Sequence, residues 1–505
     1  MGSDLLLRFP ATIRAVFRGF FPLYCEELGV ATIWGRLPSP APTDQRLAPT
    51  GASFTSSTAR GVLDTLVASS GRAVRCGRPV DFRGTVMSFF ERVAAGALAL
   101  AALAFSGATQ AAVQVAQTDI VSTATRLVSY RHQRHMFVTS DGRTHALMNL
   151  GTAAGSGGAL YLHSTDDGVQ WARQLVLPNT NANSVSDGVL TGNTLTVVYQ
   201  CSDGIARLST LNYSPTTRTW TLASTSKLPR ASTSIAAVNP SFAVDANGNT
   251  WLSYVQEDSS SGYVMIALYV KPAGSSTWSR SSQSYGYSNA VTFGSDKRSA
   301  RLVSLPGGIG LMYSVGPNIY WAERPLTGTL TSTWNSSVLM LAGTADQDPM
   351  SSHFSTVVDG QGNVYAAYTD AGVLYLRIRS TATRQWTAQT RITGNSATYP
   401  SANPTYAQLA WLGGTKVALI SNFGSGVNVY QSANSGTTWV CTTRALHTNL
   451  SGYFDDARVE IPAFPGGTVQ ALQQFQAYPP AGDGTVPPQY AASFRFSPST
   501  TAGCQ

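Results

Sequence analysis

The sequence predicts an all-β fold, a propeller of four-stranded antiparallel blades, and three observations predict it. A Trp preceded by turn residues recurs at Trp171, Trp220, Trp278, Trp334, Trp386 and Trp439, at intervals of 49 to 58 residues. A Gly lies just before a short apolar stretch at Gly142, Gly192, Gly248, Gly308, Gly362, Gly414 and Gly467, spaced 50 to 60 residues apart. Helix-forming patterns are missing: residues 112–505 contain three Glu and four Lys, and no apolar stripe at 3.6-residue spacing.

Each repeat supplies four short strands. The Gly-led stretch is the second strand, the turn before it ends the first, and the Trp opens the fourth. Between them lies a third strand, as at residues 159–163, 264–269, 373–378 and 427–430, rich in the β-branched and aromatic residues that strands favour. Units of about 50 residues with four strands each stack as propeller blades around a channel. The last unit has a third strand at 490–496 but no Trp-led fourth, and residues 118–128 precede the first unit without an assignment. If that N-terminal segment supplies the missing outer strand, seven blades close the ring and leave no free sheet edge. Six blades result if the last unit is an irregular cap.

Composition bounds the rest. Charged residues make up 12% of the 505, about half the usual ~25%, which argues against a solvated helical bundle. Hydrophobic residues at 43% exclude wholesale disorder. Residues 1–86 hold ten Arg, no Lys and no sustained periodicity. From Met87 the pattern changes: Arg92 precedes a 13-residue apolar run, 93–105, and small residues through Ala111 follow. This reads as a secretory signal peptide, too short for a membrane span of about 20 residues. The expected organisation is therefore a non-native upstream extension or disordered segment at 1–86, a signal peptide at 87–111 cut after Ala111, and a single secreted propeller at 112–505. Beyond Ala111 the formal charge of +8 falls to +4, with 23 basic and 19 acidic residues and no basic run, so nucleic acid is excluded as a partner. Cys201, Cys441 and Cys504 permit one disulfide of open pairing, or three thiols, and no Cys or His spacing resembles a metal site. No phosphate-binding glycine loop or nucleophile elbow occurs, and neither cofactor nor metal is expected.

Two turns between third and fourth strands are more specific. Ser164, Asp166, Gly168 and Trp171, and again Ser432, Asn434, Gly436 and Trp439, resemble the Asp-box, or bacterial neuraminidase repeat, Ser-x-Asp-x-Gly-x-Thr-Trp, with Gln170 at the Thr position of the first and Asn434 at the Asp position of the second. The sequence thus resembles the sialidase-like propeller superfamily. That resemblance implies that the boxes are structural and lie away from the active site, which demotes Asp166 and Asp167, and with them Asp141, Asp245 and Asp359.

In a propeller the functional face carries the loops that lead into each first strand and those joining second to third strands. Polar and charged residues gather there. The resemblance implies three Arg clamping a carboxylate, a Tyr nucleophile assisted by a Glu, and an Asp acid/base. Arg134, Arg301 and Arg458 fit the clamp, since a planar guanidinium binds carboxylate in a bidentate way, with Arg131 and Arg298 beside them. Tyr453 and Glu257 fit the nucleophile pair, and Asp348 the acid/base. A second reading is a polysaccharide lyase, in which His132, His135 or His353 abstracts a proton next to a uronate held by Arg131 or Arg134, near Tyr130. A third is a non-catalytic propeller that binds glycan or protein, with Tyr399, Tyr406 and Tyr453 as stacking platforms. The expected protein is a secreted monomer acting on acidic oligo- or polysaccharide, a glycoside hydrolase before a lyase or a binding module.

Overall fold

The computed structural model describes residues 113–504 apart from short segments, the longest being 152–157, 290–297, 344–353, 393–404 and 477–486. The expected extension and signal peptide, 1–86 and 87–111, lie outside the described residues.

Seven antiparallel four-stranded sheets form a ring. Their first, innermost strands are Met136–Val138, Ser186–Thr191, Ile235–Val244, Arg298–Leu305, Phe354–Val358, Thr405–Gly413 and Tyr453–Glu460, for blades 1 to 7 in order. In blades 1 to 6 the next three strands follow outward in chain order. Blade 7 is completed by the N-terminal strand Ala116–Ser122, which pairs antiparallel with Gln489–Phe496, Ala116 opposite Ser493 and Ser122 opposite Gln489. The closure expected from residues 118–128 is thus made, a few residues earlier. The short strand Val113–Gln114 adds an element the repeats do not announce, running parallel to the outer strand Val440–Leu446 of blade 6.

Why these segments form blades follows from their two faces. A middle strand meets a neighbouring blade on each side, so Thr144–Asn149 is buried throughout and Val364–Asp370 at every position but the last. Such strands read as nearly continuous apolar runs, as expected for sheets covered on both faces. Outer strands face water: of Thr219–Lys227 only Trp220 is buried. The core is accordingly seven apolar clusters, one between each pair of adjacent blades. The cluster of Ile120, Met136, Leu147's neighbour Met148, Trp171 and Leu472 joins blade 7 to blade 1 and so closes the ring. The repeating Trp residues belong to these clusters; Trp334 meets Trp251 edge-on at 5.8 Å.

The two specific turns differ in detail. In the second, the Ser432 hydroxyl oxygen accepts the Gly436 N–H at 2.9 Å and the Asn434 side chain accepts the Thr438 N–H at 2.9 Å. In the first, Thr165 takes the hydroxyl's part towards Gly168, and the Asp167 carboxylate accepts the N–H groups of Val169 and Gln170 at 2.8 and 2.9 Å. Asp166, assigned that role from spacing, instead pairs with Arg218. Both Trp indoles donate to the carbonyl of the box Gly, and both glycines have φ near +80°, where a side chain is strained. Asp245 and Asp359 order the turns between first and second strands, each accepting two backbone N–H bonds at 2.9 Å.

Cys441 and Cys504 form a disulfide, which ties the C-terminal tail to the outer strand of blade 6. Cys201 is a buried free thiol whose pKa burial pushes up to about 11.

Candidate functional site

The seven inner strands run side by side along the channel. Their starts mark the face of the connecting loops, here the loop face, and their ends mark the opposite turn face. Contacts across blades fix the levels: the Gly188 N–H donates to the Arg134 carbonyl, and the Leu302 N–H to the Ser241 hydroxyl.

At the loop-face end, residues 129–130 and 132–135 lie in the channel as a plug. The Gln133 amide donates to the Pro240 carbonyl of blade 3 at 2.9 Å. The Arg134 guanidinium donates to the Thr356 carbonyl of blade 5 at 2.9 Å. His132, 2% exposed, is stacked between Tyr130 at 5.6 Å and Phe354 at 5.3 Å. The Arg126 guanidinium lies over the outer face of this stack, 4.5 Å from the Tyr130 ring centre, and donates to its hydroxyl at 3.0 Å.

Below the stack is a layer of buried charge. The Asp187 carboxylate, fully buried, pairs with Arg301 and accepts the Ser241 hydroxyl at 2.8 Å and the backbone N–H groups of Arg134 and Phe242 at 3.0 and 3.3 Å. His135 bonds Glu460 at 3.0 Å through Nδ1 and the Ser186 carbonyl at 2.9 Å through Nε2. Buried ions persist only when paired and hydrogen-bonded, and these two carboxylates meet that condition. Arg134 is different. Among the described residues it forms no ion pair, and burial, with the facing Arg301, lowers its pKa to about 9. It remains a cation at neutral pH.

Past this layer the channel widens into a cavity of about 330 Å³. Arg134 and Arg301 line it at the charged layer, and Phe137, Phe242, Val303 and Phe464 are among its apolar walls towards the turn face.

The residues nominated from sequence are distributed as follows. Arg134 and Arg301 share the cavity. Arg458 does not line it; its guanidinium donates to the Ser129 carbonyl at 2.9 Å. Arg298 is fully buried and donates to the Gly286 carbonyl at 2.8 Å. The strand positions of Tyr453 and Glu257 are defined, on the inner strand of blade 7 and the second strand of blade 3, whereas their side chains lie outside the described residues, as do Arg131, Asp348 and His353. Several participants were not nominated as site residues, among them Asp187, Ser241, Glu460 and Phe464. Phe464 carried a signal, an aromatic residue in the Pro-rich turn Pro462–Pro465; its ring meets Trp411 edge-on at 6.1 Å.

The class that fold and channel define is a closed seven-bladed β-propeller. No family model matches the chain, and no curated protein matches it. Among solved structures it is similar to the Penicillium chrysogenum α-L-arabinanase complexed with arabinobiose, at 12% identity over 61% of this chain and 92% of that one, with a TM-score of 0.38. It is also similar to the Trypanosoma rangeli sialidase in complex with the inhibitor DANA, at 16% identity over 59% of this chain and 54% of that one, with a TM-score of 0.40. A third is the fucose-specific lectin from Aleuria aurantia, at 12% identity over 61% and 93%, with a TM-score of 0.38.

Proposed function

We propose that this propeller is a secreted protein that engages acidic carbohydrate on its loop face, and that its reaction there is hydrolysis of a glycosidic bond. The observation that carries this reading is the Arg126–Tyr130–His132 stack at the loop-face end of the channel. A partly exposed aromatic ring offers a platform for the apolar face of a sugar, and a guanidinium over it offers a partner for a carboxylate.

Hydrolysis is preferred to elimination because the described histidines of the lyase reading are committed elsewhere. Both ring nitrogens of His135 are bonded, and His132 is shut between two rings. Neither is placed to take a proton from a substrate. A panel of acidic oligosaccharides tests the proposal through two readouts on the secreted protein. Release of a free acidic sugar or a new reducing end supports it, and so does loss of glycan binding in Tyr130→Ala. A product with the ultraviolet absorbance of an unsaturated uronate would replace hydrolysis by elimination, and binding without turnover would leave a lectin. Absence of any binding would overturn the proposal.

A further inference from the structure

We propose that the turn-face cavity is a second ligand site, separate from the loop face, and that it takes a small monocarboxylate with an apolar body, such as an aromatic or short aliphatic acid. The cavity's size comes first. At about 330 Å³ it lies in the range of small-molecule sites, typically ~300–1,000 Å³. Its position keeps it apart from the loop face, because the plug and the charged layer fill the channel between them. The space beside His132, Thr356 and Gln408 at that level is about 10 Å³, no more than roughly one water.

Chemistry selects the ligand. Two arginines stand at the cavity's inner end, but they are not equivalent. Arg301 is neutralised by Asp187, and the other nearby carboxylate, Glu460, is engaged by His135. Arg134 points into the cavity region with one carbonyl as its described side-chain hydrogen-bond acceptor, and its guanidinium lies 5.4 Å from the Phe464 ring centre. A guanidinium keeps several donors, and a carboxylate can take two of them at once. The remaining side-chain walls are mainly apolar, Phe137, Phe242, Leu302, Val303 and Phe464, and the Ser304 hydroxyl in the lining is already committed to the Val244 carbonyl. A sugar ring would find too few partners there for its several hydroxyls, and each one left unpaired costs free energy. An apolar body would instead gain from burial. Phe464 is 52% exposed at the mouth, an apolar surface that a ligand would cover.

The test uses the full secreted protein and benzoate, with hexanoate as the aliphatic probe, in isothermal titration. Benzoate should bind wild type, and benzamide, its uncharged counterpart, should bind at least about tenfold more weakly, as expected for loss of a charge-assisted bond. Arg134→Met should lose benzoate by about tenfold or more, with its aliphatic stem kept. Phe464→Ala lies in an exposed turn outside the apolar clusters between blades, where it loses an edge-on contact with Trp411; it should weaken benzoate and hexanoate several-fold. Acidic oligosaccharide should not displace benzoate. Failure of both acids to bind wild type, equal binding of benzoate and benzamide, or undiminished binding by Arg134→Met would each overturn the proposal. Displacement by the oligosaccharide would overturn the separation of the two sites.

Discussion

The two ends of the channel are built by the same seven strands and are chemically opposite. Towards the loop face, one level of the channel carries His135, Asp187, Ser241, Arg301 and Glu460, each held by named partners. One or two residues further along, three of these strands present Phe137, Phe242 and Val303 to an open cavity. The boundary is Arg134, which belongs to both. Its backbone N–H helps to hold Asp187, while its side chain is left without a carboxylate. Charge in the plug is satisfied internally and so acts as structure, whereas the charge at the boundary is available to a ligand. Buried charge alone therefore does not mark a binding site; a charge without a counter-charge beside empty volume is the better candidate.

The largest effect should come from breaking the satisfied side. Asp187→Ala removes the acceptor for four donors and leaves Arg301, 4% exposed, as a buried charge without its carboxylate. A loss of about 3–5 kcal/mol in urea-unfolding free energy is expected. Arg134→Met should change stability by only about 1 kcal/mol or less, since it removes one hydrogen bond to a carbonyl. Equal losses for the two variants would erase the distinction between plug and boundary.

The contrast between paired and unpaired groups can be sharpened with the histidines. His135 shares Glu460, but His163, on the third strand of blade 1, is fully buried and among the described residues has no carboxylate partner. Burial, with a contribution from Arg173, lowers its pKa to about 3. Between that value and the ordinary histidine range near 6.5 the unfolded chain holds a proton that the folded one does not, so stability rises with pH across this window. His145, lowered to about 3 in the same way, adds to the slope. His163→Phe should reduce the slope by about 1.4 kcal/mol per pH unit between pH ~4 and ~6. An unchanged slope in urea titrations at several pH values would show that His163 does not stay neutral in the fold.

The ring was legible because its signals are local and repeated. Each Trp and each turn Gly does the same work every 50 residues or so, and the unfilled last unit pointed to the N-terminal strand. The site was legible only as a set of residues on one face. Its pairings join positions far apart in the chain, 53 residues for Arg134 with Asp187, 114 for Arg301 with Asp187 and 325 for His135 with Glu460. No spacing rule reaches that far, so Arg301 read as free to clamp a substrate although Asp187 neutralises it. The cavity was missed for a different reason. Its walls, Phe137, Phe242 and Val303, read as ordinary core, and only the ring geometry shows that they line a space.

The smallest expected effect concerns the turn face itself, where two adjacent aspartates can be told apart. In the second box the hydroxyl and amide caps reach four residues ahead, from Ser432 to Gly436 and from Asn434 to Thr438. In the first they reach three, from Thr165 to Gly168 and from Asp167 to Gln170. The turn is one residue tighter, and the capping carboxylate shifts from Asp166 to Asp167. The backbone N–H groups of Gln170 and Val169 hold the Asp167 pKa below the usual aspartate range. A depressed carboxylate contributes stability that is complete above the unfolded-state value near 3.9 and is lost as pH falls through its lower folded-state value. Asp167→Ala should cost about 1 kcal/mol near neutral pH through its two backbone bonds. Asp166→Ala, which loses an exposed pair with Arg218, should cost less than that and respond to salt. Thermal unfolding of the two variants at low and high salt would decide it, and a larger loss for Asp166→Ala would return the cap to the position that motif spacing alone selects.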